Sequence, residues 1–130
     1  MTALAVEGVS VRLGRALVLE DVSARVGSGE WVAIVGANGA GKSTLLRALA
    51  GLVRFDGTIT VGGRPLADLG RRQRARAIAV VPQDPAIPAW LTVSEYVLLG
   101  RTPHLGLLAA EGRRDLAAAS AALERLDLAA

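Results

Sequence analysis

Cysteine is absent from the sequence, which excludes disulfides, thiolate zinc sites and cysteine nucleophiles and fits a reducing compartment. One histidine, His104, rules out a multi-histidine metal centre. Aromatic residues amount to 3%, leaving few surfaces on which nucleic-acid bases could stack. Long apolar runs are missing too. The longest uncharged stretch, residues 31–41, falls far short of the roughly 20 residues that a membrane span requires. Residues 1–10 lack a basic start followed by an apolar run, with Glu7 interrupting, so no secretory signal is expected there. Lysine is nearly absent. Lys42 is the only one among 15 basic residues.

What remains is the composition of a folded domain: 130 residues, 52% of them hydrophobic, too apolar for intrinsic disorder. The net charge of +3 is a mild basic excess, below that of a dedicated nucleic-acid binder, and no nucleic-acid partner is expected. Arg71, Arg72, Arg74 and Arg76 form the densest basic run. It reads as the wet face of a short helix or a partner surface, with phosphate contact as the other reading.

The first 26 residues alternate as strands do. Val9, Val11 and Leu13 share one side, as do Leu17 and Leu19, with Gly14-Arg15 as the turn. Trp31-Val32-Ala33-Ile34-Val35 and Ile78-Ala79-Val80-Val81 are short apolar runs that suit strands covered on both faces of a parallel sheet. Thr58-Ile59-Thr60-Val61 predicts a strand closed by Gly62-Gly63, and residues 65–77 a partly helical stretch. A helix over 42–50 presents Leu45, Leu46 and Leu49 on one face and stops at Gly51. Thr92 and Glu95 predict a capping box, with Leu91 and Tyr96 at the staple positions, opening a helix that runs to Leu99. A last helix over 111–128 carries Leu116, Ala119, Leu123 and Leu126 as a stripe.

The chemistry concentrates in Gly36-Ala37-Asn38-Gly39-Ala40-Gly41-Lys42-Ser43-Thr44, which satisfies G-x-x-x-x-G-K-[ST] between an apolar run and a helix. Its glycines let the backbone curl so that several N–H groups face one anion. The helix start adds unpaired N–H groups and the positive end of its dipole. Lys42 then reaches the β- and γ-phosphates and the Ser43 hydroxyl ligates Mg²⁺. A compact ammonium fits between phosphates where a planar guanidinium does not. A lysine in the first helical turn opposes the dipole by roughly 0.3–1 kcal/mol, a cost that a bound polyphosphate would remove. The dinucleotide-binding pattern G-x-G-x-x-G is not present.

After this loop, Val80-Val81-Pro82-Gln83-Asp84 resembles the Q-loop of ABC transporter ATPases, and residues 5–26 resemble that family's opening antiparallel strands. The resemblance implies an α/β P-loop NTPase core with an N-terminal antiparallel β segment and the start of an α-helical subdomain. Residues 1–90 would be the nucleotide-binding core and 91–130 the beginning of the helical part. It implies ATP and Mg²⁺ as cofactors, and a Gln83 that helps hold Mg²⁺ and the attacking water. Lys42 and Gln83 would then be the catalytic residues. Residues 91–104, Leu91-Thr92-Val93-Ser94-Glu95-Tyr96-Val97-Leu98-Leu99-Gly100-Arg101-Thr102-Pro103-His104, are similar to a stretch in importers of iron-siderophores, haem and cobalamin. A membrane permease, a second ATPase subunit forming a homodimer and, indirectly, a substrate-binding protein are the implied partners. The implied location is cytoplasmic, peripheral on the inner face of the cell membrane.

The pattern departs from the family at two places. Leu13 stands where an aromatic usually stacks on adenine. The family's signature motif, catalytic glutamate and switch histidine would follow Ala130, so the 130 residues are expected to be inactive alone. A soluble non-transport ABC ATPase and a non-catalytic nucleotide-binding fragment are the alternative readings.

Overall fold

The computed structural model describes residues 1–106 and 108–128. They form two compact units, Met1–Val80 and Val81–Ala130. Residues 107, 129 and 130, within the segment 91–130 expected to open a helical subdomain, lie outside the described residues.

The first unit is built on a four-stranded antiparallel sheet. Strands β1 (Thr2–Leu13) and β2 (Ala16–Gly27) form a hairpin in which Leu13 faces Ala16 across the expected Gly14-Arg15 turn. Strand β3 (Asp56–Val61) pairs with the other side of β1, Val6 facing Ile59, and β4 (Arg64–Pro65) folds back on β3 through Gly62-Gly63. The order is β2-β1-β3-β4. These strands, with irregularities in the β1–β2 ladder between Val6 and Val9 and between Val9 and Val11, bury Val6, Val9, Val11, Leu19 and Ile59 in one cluster, each fully buried aliphatic contributing about 1.5–3 kcal/mol. Leu13, expected on the same side, is 44% exposed at the strand's end.

Helix α1 (Lys42–Leu49) sets Ala48 into that cluster. It ends as expected. Gly51 takes φ 69°, its N–H donates to the Ala48 carbonyl, and the Leu52 N–H donates to Arg47. Two last-turn carbonyls are thereby satisfied in a Schellman arrangement. A 3₁₀ turn (Leu66–Asp68) and helix α2 (Arg71–Ala77) follow β4, with Leu66 and Leu69 closing the core.

Two expectations fail. Residues 31–37 and 78–82 carry no regular secondary structure, so the strands expected over 31–35 and 78–81 do not form. A buried parallel strand needs neighbours to take its N–H and C=O groups, and among the described residues none pairs with either run. Most of their side chains lie open instead, Trp31 at 99% and Val81 at 93%, while Ile78 is half-buried against the core of the first unit.

In the second unit, helix α3 (Val93–Leu99) packs against α4 (Arg113–Arg125). The predicted capping box is present. The Glu95 N–H donates to Thr92 Oγ1 at 3.2 Å, and the Thr92 N–H donates to Glu95 Oε2 at 2.8 Å. Helix α4 is shorter than the expected span 111–128. Of its apolar stripe, Ala119 and Leu123 are buried, while Leu116 and Leu126 stay exposed. No helix among the described residues is long and apolar enough to cross a membrane.

Candidate phosphate-binding site

The glycine-bearing loop, residues 36–41, joins the open segment 31–35 to α1, and its position is set by β2. Gly41 is the residue before the helix, with φ 83°, a left-handed value that glycine adopts without steric cost. Space imposes the same choice. A Cβ at Gly41 would lie 2.7 Å from Leu19 Cδ2 and 3.0 Å from the Val18 carbonyl oxygen. The end of the loop is thus seated directly on the strand, and the Leu45 N–H begins the helical ladder by donating to Gly41 at 2.8 Å.

Lys42 is the first residue of α1, and its side chain turns back across the loop. Nζ donates to the carbonyl oxygens of Gly36 and Ala37, both at 2.7 Å. The Ala40 N–H donates to Ala37 at 3.2 Å, tightening the same turn. The ammonium therefore sits over a ring of backbone that runs from Gly36 to Gly41. No side chain caps the start of α1, and its first turn holds no acid. That helix end has N–H groups and a positive dipole without an anionic partner.

Within the motif, Gly36, Ala37, Asn38, Gly39, Ala40 and Ser43 are exposed, Gly41 and Lys42 are half-buried, and Thr44 is buried. A ligand arriving at the loop meets backbone, the Lys42 ammonium and the Ser43 hydroxyl. Thr44, expected among the binding residues, offers it a main-chain group only from a buried position. Gln83 belongs to the second unit, on an exposed bend with no helix or strand around it. Residues 36–44 are thus brought together in one loop and helix start.

Sequence reasoning missed two arrangements. One is the return of Lys42 onto Gly36 and Ala37, for which no pattern exists. The other is a knot in the second unit. Arg101 Nε donates to Asp115 Oδ1 at 2.9 Å, and the Gly112 N–H donates to Asp115 Oδ2 at 3.1 Å. The acid three residues after Gly112 was a readable sign of a helix start. These bonds hold the Asp115 carboxyl below the usual range, the Gly112 N–H first and the Arg101 side chain second. Glu95 is lowered likewise, by the Thr92 hydroxyl and then the Thr92 N–H.

The sequence profile of the family described as ABC transporter matches residues 19–130. The hemin import ATP-binding protein of Myxococcus xanthus (strain DK1622) is 43% identical over 126 residues, covering 96% of this chain and 46% of the relative. The probable siderophore transport system ATP-binding protein of Bacillus subtilis (strain 168) is 35% identical, covering 98% and 47%. A solved ATP-binding subunit of an ABC transporter superposes with a TM-score of 0.76 at 37% identity, covering 98% of this chain and 51% of that one. The chain spans about half the length of the curated relatives it matches.

Proposed function

This chain belongs to the ABC transporter family, and on that footing we propose that it is the nucleotide-binding part of an importer ATPase whose cargo is a metal chelate of the iron-siderophore, haem or cobalamin class. The observation that carries the reading is the lone lysine turned over a glycine ring at an uncapped helix start.

The chemistry follows from that geometry. Nothing in the loop needs to bond covalently to ATP, because phosphoryl transfer rests on positioning and on stabilising charge that develops on oxygen. The N–H groups of the loop and of the first turn of α1 take the β- and γ-phosphate oxygens. Lys42 exchanges its two carbonyl acceptors, Gly36 and Ala37, for phosphate oxygens, so the positive charge is already placed at the loop before the ligand arrives. The exposed Ser43 hydroxyl is a hard oxygen donor of the kind Mg²⁺ takes, an ion that keeps most of its waters and binds through few protein groups plus substrate phosphates. When bound, Mg²⁺ would be held in part by Ser43 and would supply positive charge to offset that of the phosphates. Gln83 is the second residue assigned to it, and to orienting the attacking water, on the strength of the family's Q-loop.

The relatives support the cargo class by their names, and residues 91–104 support it by the importer-like stretch that builds α3. Its partners would be a membrane permease, a second ATPase subunit and, through the permease, a substrate-binding protein. Its place would be the cytoplasmic face of the membrane. In the 130 residues, no position matches the family's catalytic glutamate, and hydrolysis by them alone is not expected.

The test is equilibrium binding of ATP to the wild-type chain and to Lys42→Ala, with circular dichroism on both. Loss of about tenfold or more in affinity with an unchanged spectrum is the expected result. Equal affinities would overturn the assignment.

A further inference from the structure

A cleft of about 450 Å³ opens in the first unit beside the end of β1, the loop before β3 and α2. Arg12, Arg54 and Arg74 line it, with Asp56 as its one carboxylate, and it shares no residue with the loop of Gly36 to Thr44. Leu66, fully buried, and Phe55, half-buried against the core, give it an apolar floor. Among the described residues, Arg12 and Arg54 take part in no ion pair, and Asp56 pairs with none of the three arginines.

Arg74 is different. Its Nη1 donates to the Gly51 carbonyl at 3.2 Å, and its guanidinium packs so closely on Gly51 that a Cβ there would lie 2.5 Å from Nη1. One guanidinium is therefore held in place at the cleft wall, while two more with unspent donors stand around it. Like charges gathered in a concave site repel one another and concentrate anions from solution. Guanidinium forks match the oxygens of phosphates and carboxylates in pairs. The volume suits a small molecule.

We propose that this cleft is a second anion site, separate from the phosphate loop, that takes a small multiply charged oxyanion. Arg74 is its fixed member, and Arg12 and Arg54 close on the ligand. Asp56 opposes binding and limits affinity for singly charged anions.

Titration calorimetry at constant ionic strength tests this, using the Lys42→Ala chain so that the lysine of the phosphate loop does not compete. Inorganic pyrophosphate and citrate are the two probes. At least one should bind at a single saturable site. Arg12→Gln with Arg54→Gln should weaken that site about tenfold or more, at an unchanged thermal midpoint. Asp56→Asn should tighten it, and this variant serves if the double arginine variant unfolds. Binding of pyrophosphate only assigns a phosphate-bearing ligand, and binding of citrate only a polycarboxylate. Saturable binding of neither, undiminished binding to the arginine variant, or no gain in Asp56→Asn would overturn the proposal.

Discussion

Gly41 and Leu19 approach so closely that a methyl group on Gly41 would lie 2.7 Å from Leu19 Cδ2. The phosphate loop is thereby seated on strand β2, against a residue 22 positions before Gly41 in the chain. Gly41→Ala should destabilise the chain by about 1–3 kcal/mol, through the left-handed φ and the contact together. It should also weaken ATP binding. Adding Leu19→Ala should relieve part of the steric effect but not the backbone effect. Thermal unfolding of the three variants measures this. An unchanged midpoint in Gly41→Ala would show that the loop is not seated as described.

Lys42→Arg keeps the charge and changes its shape. The ammonium makes two bonds of 2.7 Å, to Gly36 and Ala37, from one atom. A planar guanidinium cannot place one nitrogen between both carbonyls without displacing the loop. ATP affinity should fall by about tenfold or more, while calorimetry of the unliganded chain shows little change. Wild-type affinity in the arginine variant would mean that charge alone is recognised.

The pH dependence of the second unit has a definite sign. Glu95 and Asp115 both have folded-state pKa values lowered by hydrogen bonds to the ionised form. Their stabilisation is present above the unfolded-state values, about 3.9 for Asp and 4.3 for Glu. It is lost as pH falls through the lower folded-state values. Helicity followed by circular dichroism should fall at acid pH, and Asp115→Asn should flatten part of that limb. A rise in helicity over the same range would contradict the cap geometry.

Much of this was legible because it is local. Thr92 and Glu95 are three residues apart, and their capping box needs nothing from elsewhere in the chain. The hairpin at Gly14-Arg15 and the stop at Gly51 are local too. The phosphate motif could be read because backbone curl, helix start and lysine fall within nine residues. Pairing could not be read. Residues 31–35 have the composition of a strand, but a ladder belongs to two strands, and an apolar run does not reveal whether its partner is at hand. The Arg101–Asp115 ion pair spans 14 residues, and the seat of Gly41 on Leu19 joins two elements whose sequences give no sign of each other.

The unpaired runs lead to the last prediction. Trp31, Val35 and Val81 are almost fully exposed, next to backbone that no strand among the described residues pairs. Apolar side chains beside free backbone groups invite pairing with another molecule. The 130-residue chain should therefore self-associate as its concentration rises, seen as growth of the scattering radius. Val35→Ser with Val81→Ser should reduce that growth, because neither side chain belongs to the buried cluster. Bound ATP would stabilise the folded form by mass action without covering either run, so it should change association little. Turnover should be absent as well, since the loop offers an ammonium and a hydroxyl but no carboxylate matched to activating water. Steady-state ATPase measurement beside Lys42→Ala decides that part. Magnesium-dependent turnover above the control would mean that a carboxylate such as Asp84 or Glu95 serves as the base. A concentration-independent radius would mean that the two apolar runs find cover within a single chain in solution.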